Sequence, residues 1–198
     1  QIRLPEDEEE LELLADLFDA FSKDDKRSFT KCILALDGWL CRIEKPPKSD
    51  DIGQSAFYSG RYKCYGLNCQ AACDANLRFA MFDVAAPGGV NDIRAFARSK
   101  AFHRWLIYIS PDYFIVSDNA YCPTLAVLTP FNGNQISDEA RIEYNNLLSE
   151  RRSRIENAFG LLVTKWRIFK RPLNFSLEKN SQIASVAAQL HNYVINMD

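Results

Sequence analysis

Two short apolar runs that each stop at an aspartate constrain the fold of this chain most. Ile33–Leu36 is followed by Asp37, and Tyr113–Ser117 is followed by Asp118. We interpret both runs as buried β-strands that carry a carboxylate at the carboxyl end, with Gly38 allowing a sharp exit from the first strand. Ligands of open α/β sheets bind outside the carboxyl ends of the strands. The sequence therefore predicts a carboxylate site at one edge of a sheet.

A third carboxylate, Glu156, lies in a long helical pattern that we expect to run from about Ser137 to about Phe169. At roughly 100° per residue, Glu156 falls at the border between solvent and a buried apolar stripe. That stripe consists of Ile155, Phe159, Leu162 and Trp166. Glu156 could therefore point toward the two aspartates and complete an all-oxygen site for a hard cation such as Mg²⁺ or Mn²⁺. Two such ions would suit phosphodiester cleavage.

Arg152 precedes Glu156 by one helical turn, and its role has two interpretations. It could contact a substrate phosphate with two parallel hydrogen bonds. Alternatively, it forms an ordinary ion pair with Glu156, which is worth a few tenths of a kcal/mol on a helix surface. The helix alone favours the ion pair, whereas the neighbouring aspartates favour a site residue.

Charge is distributed unevenly along the chain. Residues 1–25 carry ten acidic and two basic side chains, whereas residues 151–179 carry eight basic and two acidic ones. Clustered basic residues neutralise phosphates, so the second region indicates a polyanionic substrate. The candidates for contact with a DNA backbone are Lys165, Arg167, Lys170 and Arg171. A solvated helix face is the alternative explanation for the same charges.

The order of the predicted elements is β-β-β-α-β-(β)-α-α, which indicates an α/β fold with an RNase H-like mixed sheet and flanking helices. Tyr62–Cys73 and Leu77–Ala85 form the predicted hairpin, and Asn91 begins a helix that runs through His103. The last helix covers Leu177 to Asn196. We divide the chain into an acidic helical segment, residues 1–28, with its helix over residues 6–22, and a catalytic domain, residues 29–198.

The remaining composition excludes several classes of protein. No apolar stretch approaches the 18 or so residues of a membrane span, and residues 1–30 carry no secretory signal pattern. Several of the six cysteines lie inside apolar strands, where a free cysteine behaves as a small hydrophobe. We therefore expect reduced cysteines and an intracellular protein. We expect His191, in the last helix, to belong to the core rather than to the site.

Ten short segments, in order along residues 30 to 195, resemble those of the PIF/Harbinger-like DDE superfamily endonucleases, which are transposases and their domesticated relatives. The spacing of 37 residues between Asp118 and Glu156 is also similar to the family's. The segments are Leu36–Trp39, Tyr65–Asp74, Ala86–Gly89, Asn91–Asp92, Ser117–Tyr121, Leu128–Phe131, Tyr144–Asn145, Arg154–Gly160, Lys165–Arg167 and Leu190–Asn192.

The resemblance implies a nuclear, metal-dependent nuclease with the catalytic triad Asp37, Asp118 and Glu156. Asp92 matches a further acidic position that histidine usually precedes, whereas here Asn91 precedes it. An auxiliary role and a simple charge in the first turn of a helix are both open for Asp92. The family usually carries an upstream DNA-binding region, which the acidic residues 1–30 do not resemble. Either this chain is a catalytic fragment, or DNA targeting comes from a Myb/SANT-like DNA-binding partner, as in the two-component systems that such elements resemble. The acidic helix fits either a homo-oligomer contact or the docking of a partner.

Two other functions remain open on the sequence alone. A domesticated scaffold would keep the fold and use its surface to bind protein or nucleic acid without cutting. An RNase H-type nuclease acting on RNA would share the chemistry and differ in substrate. The intact acidic triad favours a nuclease over a scaffold.

Overall fold

The computed structural model describes residues 1–21, 29–48 and 53–197, so residues 22–28 of the predicted acidic segment lie outside the described residues. Within these ranges the chain forms helices, strands and single 3₁₀ turns. The helices are α1 (Glu8–Phe21), α2 (Asp92–Phe96), α3 (Lys100–Tyr108), α4 (Glu139–Lys165) and α5 (Leu177–Ile195). The strands are β1 (Cys32–Arg42), β2 (Tyr58–Ser59), β3 (Cys64–Cys73), β4 (Phe79–Pro87), β5 (Phe114–Val116) and β6 (Val127–Leu128).

Strand β1 lies at the centre of a mixed sheet. It pairs antiparallel with β3 on one side and parallel with β5 on the other. Strand β4 pairs antiparallel with β3 to form the hairpin, and β2 pairs with the first residues of β3. On the other side of the sheet, β6 pairs parallel with β5. The predicted RNase H-like mixed sheet with flanking helices is confirmed, as is the predicted hairpin.

The prediction that the first strand ends at Asp37 is wrong. Strand β1 continues through Gly38 to Arg42, and β3 pairs with it along the whole of that extension. The extension persists because Cys41 is fully buried and Trp39 stacks on Phe159 of α4. Asp37 therefore lies in the middle of a long strand.

Helices cover both faces of the sheet. Ala35 and Cys41 of β1 pack on the same side as Ile155 of α4, whereas Leu34 and Leu36 pack on the side of α1 and α3. Since side chains alternate between the faces of a strand, Asp37 belongs to the face covered by α4. The predicted stripe on α4 is confirmed, with Ile155, Phe159 and Leu162 buried and Trp166 half-buried.

Helix α1 packs on β1 as part of the same core. Its buried residues are Leu11, Ala15 and Phe18, whereas the acidic Glu8, Glu9, Glu12 and Asp16 are exposed. None of the helices in the described part of the chain is long and apolar enough to cross a membrane. All six cysteines are free thiols.

Two predicted helix boundaries are wrong. The helix that begins at the Asn91 cap, whose side chain accepts a hydrogen bond from Arg94 N–H, ends at Phe96, and α3 begins separately at Lys100. The break falls where the buried Ser99 donates a hydrogen bond to Asp83 of β4. Helix α4 ends at Lys165, earlier than expected, and a 3₁₀ turn follows.

Helix α5 holds the start of β4 through two side chains. Nε2 of the buried His191 lies 2.8 Å from the carbonyl oxygen of Leu77, which confirms His191 as a core residue. The side chain of Asn192 accepts a hydrogen bond from Phe79 N–H and donates one to Phe79 C=O, both at 2.8 Å. These contacts satisfy the outward backbone groups of an edge strand.

We predict that Asn192→Leu lowers the free energy of unfolding by about 2–6 kcal/mol. The substitution leaves the buried N–H and C=O of Phe79 without partners, at about 1–3 kcal/mol for each group. Tyr193→Ala, which changes the adjacent and 61% exposed residue, is the matched control and should stay within about 0.5 kcal/mol of wild type. Urea denaturation measures both values. Equal stability of the two variants would contradict the proposed clamp.

Candidate active site

The register of β1 and β5 brings Asp37 and Asp118 to the same level of the sheet. Ala35 pairs with Val116, and each aspartate lies two residues beyond its member of that pair. Strand β5 ends at Val116 while β1 continues, so both carboxylates lie beside an edge of β1 that β5 no longer covers. They line one cleft of about 450 Å³ together with Arg152 and Glu156 of α4.

Each aspartate is oriented by a nearby backbone N–H group. Oδ1 of Asp37 accepts a hydrogen bond from Gly38 N–H at 2.7 Å. Oδ1 of Asp118 accepts one from Ala120 N–H at 2.9 Å, across the turn that follows β5. Both carboxylates are therefore held by the main chain of the segment that carries them.

Arg152 connects the helix to the strand. Its Nη1 lies 2.8 Å from Oε1 of Glu156 and 3.6 Å from Oδ2 of Asp37. The ion pair considered from the sequence is therefore present, and the same guanidinium also reaches the central aspartate. The Glu156 side chain is 52% exposed, so solvent screens the pair and it adds little stability. Arg152 thus neutralises part of the negative charge in the cleft.

The carboxylate oxygens are suitable ligands for a divalent cation, but the three side chains are only partly arranged to bind one. Asp37 and Asp118 offer the oxygen ligands that Mg²⁺ and Mn²⁺ prefer. Within residues 1–21, 29–48 and 53–197, however, no three His, Cys, Asp or Glu side chains come close enough together to hold a metal ion. The predicted third ligand, Glu156, is paired with Arg152 instead. A cation held by the aspartates would gain Glu156 only if that pair opened.

Asp92 lies next to Gly38, on the face of β1 opposite to Asp37. A side chain at Gly38 would collide with the Asp92 carboxylate, and successive side chains of a strand point to opposite faces. Oδ1 of Asp92 accepts hydrogen bonds from Asn68 at 3.0 Å and from Gln70 at 3.3 Å. The glycine is therefore needed for this close approach, whereas the sequence suggested that it allows a sharp turn.

A buried polar network that sequence reasoning missed supports this arrangement. The hydroxyl of Tyr121 donates to Oε1 of Gln70 at 2.7 Å, and Nε2 of Gln70 donates to Oδ1 of Asn68 at 2.7 Å. Burial, followed by the charges of Asp37, Asp92 and Asp118, raises the pKa of Tyr121, so the phenol stays a neutral donor. The sequence feature that could have indicated this network is the presence of two amide side chains, Asn68 and Gln70, in the otherwise largely apolar strand β3.

A second set of contacts fixes the loop on the other wall of the cleft. The side chain of Asn145 accepts a hydrogen bond from Phe131 N–H at 2.9 Å and donates one to Phe131 C=O at 3.0 Å. Tyr144 donates to Thr129 C=O at 3.1 Å. The adjacent Pro130 lines the cleft. Tyr144 and Asn145 therefore position this loop from α4.

The interpretation of residues 151–179 as one basic surface is wrong in part. Arg151 is 1% exposed, donates to Phe29 C=O at 2.7 Å, and lies over the Phe29 ring. Arg154 donates to Ala75 C=O at 2.8 Å and lies over the ring of Phe21. Both guanidiniums bind backbone carbonyl groups within the domain, because their positions on α4 face the rest of the fold rather than solvent. The exposed basic residues are Lys165, Arg167, Lys170, Arg171 and Lys179.

Asp37 should make the stability of the protein depend on pH. The pKa of Asp37 is raised to about 6, chiefly by burial; Gly38 N–H and the charge of Arg152 lower it, and the charges of Asp118 and Asp92 raise it, and the value of about 6 includes all of these effects. A folded-state pKa above the unfolded value means that stability falls as pH rises from about 4 to 6. Without divalent cations, Asp37→Asn should therefore be more stable than wild type by about 1–3 kcal/mol at pH 7, and equal to it near pH 4.

Urea denaturation at pH 4 and pH 7 measures this difference, with Asp112→Asn as the control because Asp112 is exposed. The control should show no comparable gain in stability at either pH. Lower stability of Asp37→Asn than of wild type at pH 7 would contradict the account.

Comparison of the sequence with models of known protein families gives a match to one family. A model of the DDE superfamily endonucleases matches residues 36–192, a range that contains Asp37, Asp92, Asp118 and Glu156. No curated protein and no solved structure gives a significant match. The matched range covers well over half of the chain and nearly all of the sheet. The chain therefore belongs to the DDE superfamily endonucleases.

Proposed function

We propose that this protein is the catalytic core of a PIF/Harbinger-type transposase or of a relative derived from one. In this proposal it cleaves DNA phosphodiester bonds with Mg²⁺ or Mn²⁺, and Asp37, Asp118 and Glu156 are the catalytic carboxylates. The observation that carries the proposal is the convergence of these three side chains on one open cleft in a domain of the DDE endonuclease family.

The two aspartates would hold the metal through oxygens already oriented by Gly38 and Ala120 N–H groups. Bound divalent cations activate a water or a 3′-hydroxyl for in-line attack and stabilise the leaving oxygen. Arg152 would exchange its carboxylate partners for the scissile phosphate, which it can contact with two parallel hydrogen bonds. That exchange would free Glu156 to join the aspartates.

The exposed basic residues extend the site along α4. Lys165 lies about 14 Å farther along the helix axis than Glu156, at 1.5 Å per residue, and Arg167, Lys170 and Arg171 follow in the 3₁₀ turn and just after it. We propose that they track the DNA backbone, which positions a duplex without reading its sequence.

Sequence-specific binding would then come from another source. The described basic side chains offer charge rather than a helix that enters the major groove, and direct readout requires contacts to base edges. We propose a Myb/SANT-like partner or an upstream DNA-binding region for this role, and a homo-oligomer for pairing two DNA ends.

The second candidate is a non-cutting, domesticated scaffold. The specific observation in its favour is that Arg152 pairs with Glu156 and also approaches Asp37. In a scaffold these contacts would be a permanent ion-pair network. In a nuclease they would be exchanged for metal and phosphate.

Plasmid nicking with Mg²⁺ or Mn²⁺ distinguishes the two candidates. We expect wild type to nick supercoiled DNA and Asp37→Asn, Asp118→Asn and Glu156→Gln to fall to background, because each loses one ligand charge. Their thermal melting should not fall, since the changes relieve repulsion in the cleft. Asp112→Asn is the matched control and should retain full activity. Absence of metal-dependent nicking by wild type would favour the scaffold, and full activity of Asp118→Asn would end the triad assignment.

The same assay addresses Asp92. A carboxylate that acts only as a first-turn charge should tolerate Asp92→Asn at a cost well under 1 kcal/mol. We expect instead a large loss of nicking with little change in stability, because Asp92 lies beside Gly38 within the network of Asn68 and Gln70. Near-wild-type nicking by this variant would contradict the auxiliary role.

A further inference from the structure

A second cleft, of about 390 Å³, lies next to the active-site cleft. Gly38, Arg61 and Tyr62 line both of them, so the two clefts meet at these residues. They meet beside the part of β1 that extends beyond its pairing with β5. The volume is within the range of small-molecule sites, about 300–1,000 Å³.

The loop that separates the two clefts is short and fixed. Tyr62 N–H donates to Oγ of the buried Ser59 at 3.4 Å, and Lys63 holds a left-handed backbone conformation with φ of 53°. The guanidinium of Arg61 lies 5.3 Å from the centre of the Tyr62 ring. The Tyr62 side chain is nevertheless 53% exposed. An aromatic ring and a cation are thus presented together, beside the carboxylates and outside the core.

The lining of the second cleft suits a neutral, planar group better than a phosphate. Leu40 and Val90 supply apolar surface, and Asp92 supplies a carboxylate. The carboxylate of Asp92 would repel a phosphate but can accept hydrogen bonds from the N–H groups on the edge of a nucleobase. Arg61 lines the cleft at its junction with the active-site cleft.

We propose that the second cleft is a nucleotide subsite, in which the base next to the scissile phosphate leaves the helical stack and lies against Tyr62. Arg61 contacts the phosphate of that nucleotide, and the edge of the base faces Asp92. This inference rests on the proposed DNA cleavage, since it assigns the neighbouring nucleotide of the same strand. It makes Tyr62 and Arg61 positioning residues for the substrate.

The energies are compatible with this arrangement. Taking a base out of a duplex is costly, and less so where the base is already unpaired, whereas stacking the base on an aromatic side chain offsets part of that cost. The subsite should therefore favour a nucleotide at a nick, a mismatch or a strand end. In a fully paired duplex, the contact of Arg61 with the phosphate would have to offset the rest of the cost of unstacking the base.

Photochemical crosslinking tests the subsite without relying on cleavage. The Asp118→Asn variant is mixed with nicked duplex DNA that carries 5-iodouracil beside the nick, irradiated, and digested for peptide mapping. We expect the main adduct at Tyr62. Tyr62→Ala should lower the total yield at least fivefold, whereas Tyr62→Phe should keep it because stacking needs only the ring. Tyr108→Ala, at an 85% exposed residue, is the matched control and should change nothing.

The outcomes separate the subsite from the proposed function. Adducts spread over exposed tyrosines such as Tyr58, Tyr108 and Tyr193, or no adduct at all, would overturn the subsite. Metal-dependent nicking by wild type without an adduct at Tyr62 would overturn the subsite alone. An adduct at Tyr62 without nicking would support the subsite and contradict cleavage.

Discussion

The parallel pairing of β1 with β5 determines the position of everything else in the candidate site. The match of Ala35 with Val116 places Asp37 and Asp118 at one level, because each follows its partner by two residues. Strand β5 stops there and β1 does not, so the carboxylates lie beside an uncovered edge. A slip of the pairing by one residue would turn one of the aspartates to the other face.

Placing negative groups side by side has a cost that the protein offsets with its own cation. Burial and neighbouring carboxylates raise the pKa of Asp37 to about 6. Arg152 lies against Asp37 and Glu156 and lowers the repulsion in the cleft. The same guanidinium is a natural partner for phosphate. The arrangement therefore suits a site that exchanges internal ion pairs for metal and substrate, which is the mechanism we propose.

The sequence predicted the parts of the site that depend on local pattern. Apolar runs located the strands that carry Asp37 and Asp118, and helical periodicity placed Glu156 at the border of the core. It could not show that β1 runs on past Gly38, because Trp39 and Cys41 are held there by α4 and β3. It also could not separate the buried Arg151 from exposed basic residues, since the carbonyl that Arg151 binds is 122 positions away along the chain.

The central claim is that Asp37 and Asp118 form a site for a divalent cation, and Mn²⁺ titration followed by electron paramagnetic resonance tests it most directly. The account predicts that wild type binds Mn²⁺, with and without a short DNA duplex, and that Mg²⁺ competes for the site. Asp37→Asn and Asp118→Asn should each weaken binding by about tenfold or more, a loss of about 1.4 kcal/mol, whereas Asp112→Asn should bind as wild type does. Binding by Asp118→Asn as tight as that of wild type, or no binding by wild type under either condition, would contradict the account.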